Sequence, residues 1–354
     1  MTREDIKRID TDGMYEAVRA FPAQWSDGRR RALAADWSSV HSNGQAGVLI
    51  VGMGGSALAG DLLRTLTRTE AGVPITVLRS YSLPAWVGPD TTVIASSYSG
   101  NTEETLSALD AALDRGASVV CITTGGRMAS RAGDAGVPLI SLPTGLQPRA
   151  ALGHSLTALC TVAERLGLLT ASGEDWQETR SVLDAQKVAY ENPEDPENGA
   201  MKMASALRKR FPVIYSSERL EGANLRWRNQ MHENSKTFAV GNLFPEMNHN
   251  EIMGWARHAP ELRHLGVILL RDCEDHARVQ RRMDITRDLL KDSAGYWTEV
   301  QSQGKSRLAR LMSLLYVSDW VSLYLAILHE VNPSPVGLIS QLKAALATPQ
   351  QNGS

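Results

Sequence analysis

Residues 46–66, AGVLIVGMGGSALAGDLLRTL, decide how the rest of the chain is read. Val48 to Val51 form an apolar run with no alternation, a glycine turn follows at once, and Leu58, Leu62 and Leu66 then recur at helical spacing. Such a run predicts a strand buried on both faces, feeding a helix through the glycines, as in a parallel sheet. Four more segments fit the same scheme: PITVLRS (74–80), TTVIASSYSG (91–100) with a strand ending at Ser96, ASVVCITTGG (117–126) and VPLISLP (137–143). A helix through Leu106, Leu109 and Leu113 separates two of them. Strands alternating with helices predict an α/β unit covering residues from about 40 to 165.

The stretch ENPEDPENG (191–199) carries two prolines, four acidic residues and no large apolar side chain, which predicts an exposed linker or loop. Beyond it the alternation resumes with FPVIYSS (211–217) as a strand, ERLEGANLRWRNQMHENS (218–235) as a helix, LGVILLRD (265–272) as a strand and a long helical pattern from Asp275 onward. The expected organisation is two α/β domains of related design. Residues 1–190 form the first with an N-terminal helical extension, 191–200 the linker and 201–354 the second.

The chain has 354 residues, enough for two ordinary domains with their own cores. Lys plus Arg, 37, nearly balance Asp plus Glu, 39, so composition offers no electrostatic footprint for nucleic acid or an anionic membrane. Cys121, Cys160 and Cys273 make no CxxC pair and no metal-type spacing, which suits free thiols in a reducing compartment. The N-terminus lacks a signal-peptide apolar stretch, and the tract YVSDWVSLYLAILHEV (316–331) is interrupted by Asp319. A cytoplasmic protein with neither nucleic-acid nor membrane partners is expected.

GMGGS (52–56) and SYSGNT (97–102) both fall where predicted strands hand over to helices. In a parallel sheet this is where ligands bind, because the helix starts there with unpaired N–H groups and a partial positive charge. Gly54 and Gly55 let an anion approach the backbone, and Ser56, Ser97, Ser99 and Thr102 can donate hydroxyl hydrogen bonds. Glycine, serine and asparagine also make ordinary turns and caps, but two such turns at equivalent strand ends favour a phosphate cradle. Gly52, Gly54 and Ala57 satisfy the dinucleotide pattern G-x-G-x-x-A as well. That reading lacks the ribose-binding acid about 20 residues on, where Arg79 stands instead, and leaves the second hydroxyl turn without a role.

The combination of GMGGS with SSYSGNTEET (96–105) resembles the sugar isomerase (SIS) domain, and specifically the bifunctional phosphoglucose/phosphomannose isomerase family. Further motifs follow in order along nearly the whole chain: PRAALG (148–153), QMHENSK (230–236), NHNE (248–251) and NPSPVGLISQLK (332–343). The resemblance implies two SIS-type doubly wound domains with mainly parallel sheets flanked by helices. It also implies an aldose–ketose isomerase acting on hexose 6-phosphates through a cis-enediolate, with no metal and no cofactor. Such chemistry needs a base for the carbon proton, an acid/base for the ring oxygen and a cation for the enediolate.

By that resemblance Glu233 is the base, His249 opens the ring, Lys343 assists at the ring oxygen and Arg149 faces the enediolate. The resemblance further implies a homodimer in which His249 reaches the site of the neighbouring subunit. Read without it, Glu233 is a helix-end carboxylate, His249 a polar loop residue and Arg149 half of a surface ion pair. Lys343 shares a predicted helical face with Val336, Ile339 and Leu346, where a lysine either reaches for water or points into a site. His232 and Glu233 do not make the zinc motif H-E-x-x-H, because Lys236 stands at the second histidine position. In the family this segment often carries threonine where Ser334 stands, and polar residues near it affect acceptance of mannose phosphate; both side chains are hydroxyls, so little change is expected from serine. A non-catalytic sugar-phosphate sensor would use the same turns but would need none of Glu233, His249 and Lys343. An amino-sugar phosphate isomerase would need other groups around C2.

Overall fold

The computed structural model describes residues 1–37, 46–257 and 259–347. Helices α1 (Arg3–Ile9), α2 (Met14–Arg19) and α3 (Phe21–Leu33) precede a first α/β unit. That unit runs β1 (Gly47–Val51), α4 (Gly54–Thr67), β2 (Ile75–Leu78), β3 (Thr91–Ser97), α5 (Glu103–Asp114), β4 (Ser118–Thr123), α6 (Gly126–Asp134) and β5 (Leu139–Ser141). A 3-10 turn at Pro148–Ala151 leads to α7 (Leu152–Arg165) and α8 (Gly173–Tyr190). The second unit runs α9 (Gly199–Leu207), β6 (Phe211–Ser217), α10 (Glu221–Glu233), β7 (Val240–Phe244), β8 (Leu265–Arg271), α11 (Ala277–Leu290) and β9 (Tyr296–Gln301), closed by α12 (Arg307–Leu328) and α13 (Gly337–Ala347).

Both sheets are parallel at every described pairing, in the orders β2-β1-β3-β4-β5 and β7-β6-β8-β9. All five residues of β1 and all seven of β3 are buried, as expected of central strands covered by helices on both faces. Ser97 belongs to β3, so that strand ends one residue later than predicted. β7 and β9 depart from expectation more clearly, since β9 interrupts the helical pattern expected from Asp275 onward. Both are edge strands, only partly buried; VGNLF is a short apolar stretch broken by Gly241 and Asn242, and YWTEVQ carries Thr298, Glu299 and Gln301, so neither reads as a buried run.

One apolar core runs across both units. It includes Leu62 of α4, Leu156 of α7, Trp227 and Met231 of α10 and Trp320 of α12. Among the described residues α12 is the one helix long and apolar enough to cross a membrane, yet 94% of its most apolar window is buried inside the protein. It packs against α8, α9 and α10. Residues 191–198 carry no helix or strand, but they are fastened in place. The Asn198 amide donates to the carbonyls of Tyr190 and Asn192 and accepts from the Met201 N–H to cap α9. Cys121 and Cys160 are buried free thiols, and burial pushes the Cys121 pKa up to about 12.

Candidate active site

The first cradle forms where β1 and β3 end side by side. Ser97 is buried and shares a hydrogen bond of 3.0 Å with the Thr102 hydroxyl, while its Oγ accepts from the Gly100 N–H at 3.1 Å. Ser56, also buried, reaches across to the second turn, its Oγ accepting from the Tyr98 N–H at 3.3 Å. Ser99 is exposed and accepts from the Asn101 N–H. Gly100 has φ +67° and lies so close to Gly125 that an added Cβ would fall 1.8 Å from its carbonyl oxygen, so no other residue fits the turn. The helices behind these turns, α4 and α5, start at Met53 and Thr102 with no side-chain cap, as do α6, α7 and α10, whereas α8, α9 and α12 are capped by Ser172, Asn198 and Ser306. The first-turn N–H groups of α4 and α5 therefore face the crevice without a side-chain acceptor, which is the arrangement that receives an anion.

The catalytic candidates meet next to this cradle. Helices α4 and α10 pack antiparallel, because Gly222 at the start of α10 touches Leu62 and Thr65 toward the end of α4, and Arg64 pairs with Glu221 at 2.8 Å. The C-terminal end of α10, with Glu233, thus comes to the N-terminal end of α4. Gly55 in that first turn abuts Pro148 and Arg149, since a Cβ there would stand 3.1 Å from the Pro148 carbonyl oxygen and 3.4 Å from the Arg149 Cα. Arg149 is 3% exposed and spans the junction. Its Nε donates to Asn234 Oδ1 at 2.8 Å, its Nη2 to the carbonyls of Pro333 at 2.7 Å and Ser334 at 3.0 Å, and its Nη1 faces Glu233 Oε2 at 3.4 Å. Burial pulls the guanidinium below its ordinary pKa while Glu233 opposes that shift. The Glu233 carboxylate remains partly open to solvent, with 30% of its side chain exposed.

Lys236 is a functional candidate that motif reading passed over. It sits just past the end of α10 with φ +54°, and its Nζ donates to the carbonyls of Glu233 and Pro333. An ammonium at a helix C-terminus complements the partial negative charge there. Burial, reinforced by Arg149 and opposed by Glu233, lowers its pKa to about 8. The available signal was its place directly after His-Glu-Asn-Ser at a helix end.

His249 and Lys343 stand apart from this group. His249 is exposed on a 3-10 turn, Glu246–His249, that follows β7. Lys343 is exposed on α13, whose apolar side chains Leu338, Ile339, Leu342 and Leu346 are exposed too. Among the described residues no hydrogen bond or ion pair joins either one to Glu233 or Arg149. The apolar stripe beneath Lys343 is thus uncovered in the single chain. Ser334 is buried at 3% exposure and meets Arg149 through its carbonyl rather than its hydroxyl. Arg79, the residue a dinucleotide would have needed, is paired with buried Asp61 of α4.

Residues 196–346 match the family model of the bacterial phospho-glucose isomerase C-terminal SIS domain. The chain is 45% identical over 303 residues to the bifunctional phosphoglucose/phosphomannose isomerase of Caldicellulosiruptor bescii, covering 85% of this chain and 89% of that one. It is 38% identical over 302 residues to the protein of the same description from Aquifex aeolicus, covering 85% and 90%. Among solved structures, the C-terminal domain of glucosamine-fructose-6-phosphate aminotransferase from Francisella tularensis superposes with a TM-score of 0.72 at 12% identity, over 91% of this chain and 98% of that one. That likeness is one of fold.

Proposed function

The chain belongs to the bifunctional phosphoglucose/phosphomannose isomerase family, and from that premise we infer that it is an aldose–ketose isomerase interconverting fructose 6-phosphate with glucose 6-phosphate, mannose 6-phosphate or both. The observation that carries the site assignment is the pairing of Glu233 with Arg149 beside the uncapped start of α4.

The 6-phosphate is held by Ser56, Ser97, Ser99 and Thr102 with the first-turn N–H groups at Gly54 and Gly55. The open-chain sugar then extends toward the end of α10. Glu233 moves the proton between C1 and C2, for which a carboxylate near neutral pH is a sufficient base once the adjacent carbonyl is polarised. Negative charge grows on O1 and O2 as the enediolate forms, and Arg149, already oriented and largely shielded from water, stabilises it without reorganising. His249 and Lys343 serve ring opening, His249 coming from a second subunit of a homodimer. The exposure of His249, with no hydrogen bond or ion pair to Glu233 among the described residues, supports that arrangement, as does the uncovered stripe of α13. Epimers at C2 are both accepted if the open chain turns about C2–C3.

The experiment is incubation of purified protein with fructose 6-phosphate in the presence of a chelator, with glucose and mannose 6-phosphates measured separately. Formation of either aldose upholds the isomerase assignment, and formation of both establishes dual specificity. Binding of fructose 6-phosphate with no aldose formed would overturn it.

A further inference from the structure

Arg149 is aimed by a chain of one-way hydrogen bonds. Its guanidinium spends Nε on Asn234, and Asn234 is itself fully buried. The direction of the Asn234 amide is not free. Ser322 Oγ donates its one proton to the carbonyl of Asp319 at 3.0 Å, so toward Asn234 it acts as acceptor, taking a proton from Nδ2 at 3.0 Å. The amide oxygen is thereby turned to Arg149. A reversed amide would set its NH2 against the guanidinium and leave Ser322 facing a carbonyl.

The backbone from which Arg149 projects is held by the same two helices. Arg226 Nη2 donates to the Arg149 carbonyl at 3.0 Å, while its fork closes on Asp319 at 3.0 and 2.8 Å. Gln230 adds a third hydrogen bond to Asp319 at 2.8 Å. Arg226 and Gln230 of α10 and Asn234, the residue that caps its C-terminus, recur every four residues along one face, and Asp319 and Ser322 face them from α12. All five are at most 2% exposed. Glu233 is the residue before Asn234, so base and orienting groups ride on one rigid element.

We propose that Asn234, oriented by Ser322, is a positioning residue that sets the direction of the Arg149 guanidinium during isomerisation, with the Arg226–Asp319 pair fixing its backbone. This rests on the reading of Arg149 as the cation facing the enediolate. A buried network in which Arg149, Asn234, Ser322, Asp319 and Arg226 are linked by hydrogen bonds holds a catalytic group to one geometry, which is how preorganisation is maintained. A network serving only to stabilise the fold would change the unfolding midpoint and leave turnover per folded molecule intact.

The test is a kinetic double-mutant cycle in the full-length protein, with fructose 6-phosphate as substrate and unfolding midpoints measured alongside. Asn234→Ala is expected to lower kcat by about 10- to 100-fold with KM held within about 3-fold, as for a misaimed transition-state contact. Ser322→Ala, which leaves the Asn234 Nδ2 without its acceptor and loosens the amide, is expected to lower kcat by roughly 3- to 10-fold. In an Arg149→Lys background, which lacks the fork that Asn234 orients, both effects should shrink to within about 2-fold. Ser322→Ala removes a single oxygen and carries the same comparison should Asn234→Ala fail to fold. Additive losses in the two backgrounds, or unchanged kcat in both variants, would overturn the positioning role while leaving the isomerase intact. An inactive wild-type protein would overturn the isomerase reading and this inference with it.

Discussion

The two sheets share a strand plan and differ in what closes the ends of their central strands. β1 and β3 adjoin in the first sheet as β6 and β8 do in the second, each pair lying between β2 and β4 or between β7 and β9. Both points are where a parallel sheet opens a crevice. The first crevice is edged by glycines and hydroxyls with uncapped helix starts behind them. The second is filled by its own charges. Ser217 Oγ donates to Asp275 at 2.5 Å, Arg310 Nε and Ser302 Oγ donate to Asp272 at 2.9 and 2.7 Å, and Glu274 pairs with Arg310 at 2.6 Å and Arg219 at 2.9 Å. Burial raises the Asp275 pKa. Burial also opposes ionisation of Glu274, but Arg310 and Arg219 outweigh it and hold that carboxyl below its ordinary range. An arriving phosphate would meet carboxylates whose cations are already engaged. Topology supplies two candidate crevices, and side chains leave one of them open.

The largest expected effect is in the closed crevice, where Asp272→Ala leaves Arg310, 4% exposed, without its innermost partner. Unfolding free energy should fall by roughly 3–5 kcal/mol, read from the denaturant midpoint, with KM for fructose 6-phosphate unchanged in the folded fraction. Next comes Ser97→Asp, which gives the open crevice a carboxylate like those of the closed one. KM should rise by about 100-fold, or roughly 2.7 kcal/mol, and an unchanged KM would end the comparison. Ser56→Ala deletes one hydroxyl and should raise KM by about 5- to 10-fold in the same assay.

The smallest effect concerns acid stability. Glu274 has a folded-state pKa below its unfolded value of 4.5, so its contribution is present above that pH and lost as pH falls below it. Glu274→Gln should flatten the decline in stability below pH 4.5 by roughly a few tenths of a kcal/mol, because the side chain is 43% exposed and its ion pairs are screened.

Much of this architecture was legible from residues 46–66 and their repeats, because strands buried on both faces must be apolar throughout. β7 and β9 were not, since an edge strand can carry Asn242 or Glu299 without cost. The glycine and hydroxyl turns were legible because few residue types tolerate such backbone crowding. The meeting of Arg149 with Glu233, 84 positions apart, depends on the antiparallel packing of α4 on α10, which no local pattern encodes. In the sequence Asp319 stood only as the interruption of an apolar tract; buried inside α12, such an acid needs a partner. That the partner is Arg226, and that the pair supports Arg149, could be read only from coordinates.

The most direct test of the account is Glu233→Gln, assayed for fructose 6-phosphate turnover and, by thermal shift, for binding of the same sugar phosphate. Turnover is expected to fall by at least about 1,000-fold with the ligand-induced shift retained, since the cradle is untouched and only the base is removed. A Glu233→Gln protein that still forms glucose or mannose 6-phosphate at a rate near wild type would contradict it.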